Sequence, residues 1–180
     1  MQNAYELFLA ELRNMLNAEN KLVQVLGEQA SETKRGDLRQ AFDDHRRQTE
    51  RQAERLVEIF RLLGESPEQA DSKGIDGLKK EKQELMKKDP TQELLDYVNV
   101  TAGIKVERYE MSAYDSLIML ARELGMQHSA DLLKQNLNEE QATEKKLQHF
   151  LGMVKPTTLG IDVKKPERTV PEGGLPGKVA

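Results

Sequence analysis

Four stretches of this chain carry an apolar stripe at helical 4-3 spacing, and each stripe turns polar at its middle. The first reads Phe8, Leu12, Met15, Glu19, Leu22 and Leu26, and the second Leu38, Phe42, His45, Thr49, Gln52, Leu56, Ile59 and Leu63. The third passes from Val100 and Gly103 through Glu107 and Glu110 to Tyr114, Leu117, Ala121 and Leu124. The fourth reads Leu133, Leu137, Glu140, Glu144, Leu147 and Leu151. Residues at this spacing share one helix face, and the apolar members mark that face as buried. Five carboxylates therefore point at the core with one histidine and no lysine or arginine among them. Unpaired carboxylates do not stay ionised in a core, so the cluster is either protonated or holds a cation. A metal site inside a four-helix bundle is the economical reading.

Composition narrows the chemistry. The 180 residues suit one domain with a sizeable core. Net charge is −4, with Lys and Arg spread along every helical stretch, which argues against a nucleic-acid surface. The absence of cysteine excludes disulfides, thiolate metal sites and cysteine nucleophiles. A metal must then be held by carboxylates and imidazole, ligands that suit iron, manganese or zinc. No apolar run reaches membrane-spanning length, and Met1 to Glu6 lacks the basic and apolar segments of a signal peptide. The expectation is a soluble, cytoplasmic protein with no membrane partner.

Punctuation along the chain sets the connectivity. The first helix is expected from about Tyr5 to Thr33, with Gly36 as its stop and Asp37 as N-cap of the second, which ends at Gly64. A long connection from Gly64 to Pro90 contains a short amphipathic segment, Ile75 to Lys88. The third helix starts after Asp89-Pro90, with Asp89 as N-cap, and ends near Gly125; the fourth runs from about Ser129 to Leu151. Short links make antiparallel pairs one–two and three–four. The long crossover between two and three is the connectivity of ferritin-like bundles. The expected fold is thus all-α: a ferritin-like four-helix bundle over residues 1–154, with the extra crossover helix packed across one end. From Lys155 the prolines and glycines argue for an extended or disordered tail, 155–180.

The two halves also resemble each other. Leu38, Phe42, His45 and Thr49 align without gaps on Leu133, Leu137, Glu140 and Glu144, and Glu19 then corresponds to Glu110. Di-iron and di-manganese bundles use single glutamates from two helices and a Glu-x-x-His pair from each of the other two. Glu19 and Glu110 fit the single positions. Phe42 stands three residues before His45, and Thr143 three after Glu140, so neither Glu-x-x-His pair is complete. Glu107, three residues before Glu110, supplies a further carboxylate; Glu107 and Glu144 could alternatively border the stripe and reach solvent. Gln48, Thr49, Gln52 and Tyr114 fall on the same faces, around the ligands.

The runs Asn17-Ala-Glu19-Asn-Lys-Leu22, Ala41-Phe-x-x-His45-x-x-Gln-Thr49-x-x-Gln52, Lys105-Val-Glu107-x-Tyr-Glu110-x-x-Ala-Tyr114 and Glu139-Glu140-x-Ala-Thr-Glu144 resemble the YciE/YciF family of bacterial ferritin-like stress-response proteins. The resemblance covers about Tyr5 to Gly152. It implies a five-helix ferritin-like fold, a cytoplasmic homodimer and a di-metal centre of ferroxidase type. By position, Glu19, His45, Glu107, Glu110, Glu140 and Glu144 are then its metal ligands or their near neighbours. Gln48 stands where some members have glutamate, which weakens the second metal position. Two functional expectations follow. One is a di-iron carboxylate protein acting on iron with dioxygen or peroxide in oxidative stress. The other is a non-enzymatic structural or binding dimer with a degenerate or single-metal site.

Overall fold

A computed structural model of the chain describes residues 1–68 and 70–160. Among these residues the chain forms five α-helices and no strand: α1 Ala4–Glu32, α2 Gly36–Leu63, α3 Lys73–Met86, α4 Gln92–Glu123 and α5 Gln127–Gly152. A short 3₁₀ turn, Pro156–Leu159, follows and rests on α4. Asn3 opens α1 by accepting from the Glu6 amide at 2.8 Å, while its own side-chain amide donates to the Glu6 carboxylate at 3.0 Å. Gly64, in the left-handed region at φ +68°, closes α2 as the sequence predicts.

The most extensive packing joins α1 to α2 and α4 to α5, and the lesser contacts α1–α4 and α2–α5 close the bundle. The expected pairing and long crossover are therefore present. Two apolar clusters fill the interior. One gathers Phe8, Leu12, Met15, Leu56, Ile59, Tyr114, Leu117, Leu133 and Leu137; the other gathers Leu26, Leu38, Phe42, Val100 and Leu147. On α2, α4 and α5 the polar middles of the stripes lie between them.

Three local expectations are corrected. Helix α3 lies along the bundle in the groove between α1 and α4, instead of across one end. Its acids and lysines pair in sequence down α1, Asp76 with Lys21, Lys79 with Glu28 and Lys82 with Glu32, and Glu81 meets Lys105 on α4. A span of 14 residues is long enough to carry the crossover back along the bundle. Asp89 is not the N-cap of α4: it sits at φ +50° in the turn after α3, and the Thr91 hydroxyl caps α4 by accepting from Leu94. Gly36 is not the stop of α1 either. It is the first residue of α2, and Asp37 accepts from Arg35 and the Leu38 amide inside that first turn.

The expected tail divides. Its first residues form the 3₁₀ turn, and residues 161–180 lie outside the described residues. Among the described residues no helix is long and apolar enough to cross a membrane.

Candidate metal centre

Glu107 and Glu110 stand three residues apart on α4, one above the other on its inner face. Glu19 meets them from α1, His45 from α2 and Glu140 from α5, and all five side chains are buried. They form two groups of three. His45, Glu107 and Glu140 each bring a ligand atom within 4.8 Å of the others, and Glu19, Glu110 and Glu140 do the same. Glu140 belongs to both groups.

The hydrogen-bonding of this cluster is incomplete. His45 Nε2 lies 3.0 Å from Glu107 Oε1. Glu19 Oε2, Glu107 Oε2, Glu110 Oε1, both oxygens of Glu140 and His45 Nδ1 have no partner. No lysine or arginine among the described residues is paired with any of these carboxylates. Burial pushes the Glu107 carboxyl up to about 8, while the neighbouring Glu140 holds it down in part. Burial also raises Glu19, Glu110 and Glu140 well above the carboxylate range, and their mutual repulsion adds to it. Desolvation lowers His45, so its ring is neutral and able to ligate. Unpartnered buried oxygens and a neutral imidazole are the donors that hard or borderline cations require, so the residues fit a bound metal ion.

One side of the cluster is held by a polar chain. The Tyr114 hydroxyl donates to Glu19 Oε1, and Asn136 Nδ2 donates to the Tyr114 oxygen at 2.9 Å. Arg55 fixes Asn136 from outside, donating to its Oδ1 at 2.7 Å while gripping Glu139 with two bonds. With the Tyr114 oxygen already accepting, its single proton has one direction, toward Glu19. The sequence reading missed Asn136, although it lies one helical turn before Glu140 on α5 and could have been found by that spacing.

The remaining candidates divide. Thr49 and Gln52 are buried, and neither side-chain atom of Gln52 has a partner. Gln48 is half-buried and lines, with His45, a cavity between α2 and α5. Glu144 joins neither group of three. Its carboxylate accepts from Arg108 at 2.7 Å and from Gln148 at 3.0 Å. Arg108 is the reason: it stands beside Glu107 on the outer flank of α4 and draws Glu144 away from the core.

Two cavities meet at His45. The one between α2 and α5, about 500 Å³, carries Asp37, Asp44, Gln40 and Gln48. The other, about 220 Å³, opens between α1, α3 and α4 and touches Glu107 as well.

Comparison with known proteins agrees with this architecture. The family described as a domain of unknown function (DUF892) matches residues 3–158. Protein YciF of Escherichia coli strain K12 is 33% identical over 152 residues, 82% of this chain and 89% of that protein. Among solved structures, YcfI of Rhodopseudomonas palustris matches with a TM-score of 0.79 at 34% identity, covering 86% of this chain and 96% of its own. The E. coli stress protein YciF matches with a TM-score of 0.79 at 31% identity, covering 83% and 95%.

Proposed function

The chain belongs to the DUF892 family and is similar to the YciF stress protein, and from that premise we propose that it is a di-iron carboxylate protein of ferroxidase type. One observation carries the reading: two groups of three buried ligands share Glu140, and five of their carboxylate oxygens lack a partner. Glu19, Glu110 and Glu140 would hold one ion, and His45, Glu107 and Glu140 the other. Iron held there would supply electrons to dioxygen or peroxide, Fe(II) becoming Fe(III) as the oxidant is reduced. The protein's part is to keep water from the oxygens, to neutralise charge with carboxylates and to orient Glu19 through Tyr114 and Asn136.

Anaerobic Fe(II) titration of chelator-treated protein tests it. Near two irons per chain, with oxidation to Fe(III) on admitting dioxygen, supports the reading. Binding of one iron or none per chain, or no oxidation on admitting dioxygen, would overturn it in favour of a non-enzymatic structural role.

A further inference from the structure

The cavity between α1, α3 and α4 is built differently from the rest of the centre. Leu22 and Leu26 form its α1 wall, Leu78 its α3 wall and Val106 its α4 wall, and its floor reaches His45 and Glu107. Lys79 and Lys82 stand at the rim, but Glu28 and Glu32 neutralise them at 3.6 and 3.3 Å. The rim therefore offers no free charge to an anion, and the lysine stems extend the apolar surface. The cavity between α2 and α5 is charged instead, lined by Asp37, Asp44, Lys145 and Lys146.

We propose that this cavity is the binding site of a small uncharged aliphatic molecule, its chain between α1, α3 and α4 and its polar end at His45 and Glu107. The volume decides the size class. An apolar cavity of about 150 Å³ admits benzene, so about 220 Å³ holds a chain of hexanol size. A nucleotide or flavin needs more space. Dioxygen or hydrogen peroxide fills about the space of one water, ~30 Å³, and leaves most of the walls without contact. At the inner end of the metal-free chain Glu107 Oε2 has no partner and can accept from a hydroxyl. The proposal deepens the di-iron reading by naming a substrate class, and for its chemistry it rests on that reading.

Calorimetric titration of 1-hexanol into the metal-free full chain tests binding, and Co(II) absorbance titration tests the centre separately. The expected result is one saturable hexanol site with a negative heat-capacity change. Hexanoate should bind at least tenfold more weakly. Ala102→Leu and Val106→Phe, which narrow the cavity from α4, should each weaken hexanol at least tenfold while circular dichroism and Co(II) binding persist. Hexanol should also shift the visible band of Co(II)-loaded protein. Absence of saturable binding, preference for hexanoate, indifference to both folded variants or an unmoved band would each overturn the proposal. Hexanol binding without Co(II) binding would uphold the cavity and overturn the di-iron reading instead.

Discussion

Glu107 and Glu144 show what a stripe can and cannot reveal at the scale of one residue. Both lie on helix faces whose other members are apolar, and both could border the core or enter it. Glu107 enters, at 1% exposure, while Glu144 is turned outward by Arg108. A 4-3 face is wide enough for either outcome, and the deciding charge sits on a different helix, which periodicity does not report. The difference is testable. Glu140→Gln should abolish binding of at least one of the two irons, whereas Glu144→Gln should leave the iron count unchanged in the same titration. Glu140→Gln should also stabilise the chelator-treated protein by about 2 kcal/mol at pH 7, because the parent must take up a proton there on folding. Equal iron counts in both variants would mean that Glu140 does not bridge.

At the scale of elements, the four long helices were legible because their apolar periodicity spans many turns. The placement of α3 was not. Ile75 on α3 and Ile118, which stands outside the α4 stripe, are buried at 1% and 5%, and both belong to the larger core cluster. The covering contacts depend on one close approach. A Cβ at Gly74 would lie 2.5 Å from the Tyr109 ring, whereas one at Gly77 would meet nothing within 4 Å. Alanine at the two positions should therefore act with opposite signs on one short helix. Gly74→Ala should destabilise by about 1–3 kcal/mol through overpacking, and less so in a Tyr109→Leu background. Gly77→Ala should stabilise by about 0.5–1 kcal/mol through helix propensity. Urea unfolding of the variants checks both, and like signs would mean that α3 does not rest on Tyr109.

For the whole molecule, the centre joins two apolar clusters and makes stability depend on what the centre holds. We propose a homodimer, with apolar residues still exposed on α2, Val57 and Leu62, as candidates for its contact. Light scattering at micromolar concentration should give twice the chain mass, and a single-chain mass would refute it. The acid response is the sharper test, because the metal-free and loaded proteins should differ in sign. Glu19, Glu107, Glu110 and Glu140 have folded-state pKa values raised above their unfolded ones, Glu107 to about 8. Between about pH 8 and the unfolded carboxyl value near 4.3, the fold binds more protons than the unfolded chain. Stability of the metal-free protein must then rise as pH falls through that window, by up to about 1.4 kcal/mol per unit for each group. His45 opposes this below about 6.5, since its folded pKa is lowered and the unfolded ring gains its proton first. One histidine does not reverse several carboxyls, so urea midpoints should climb from pH 8 to pH 6 and continue more gently to pH 5. In loaded protein the same oxygens hold metal, protons compete for them, and the midpoints should fall over the same range. Parallel midpoints with and without chelator would mean that these carboxylates titrate as solvated acids, and that the bundle has no metal centre.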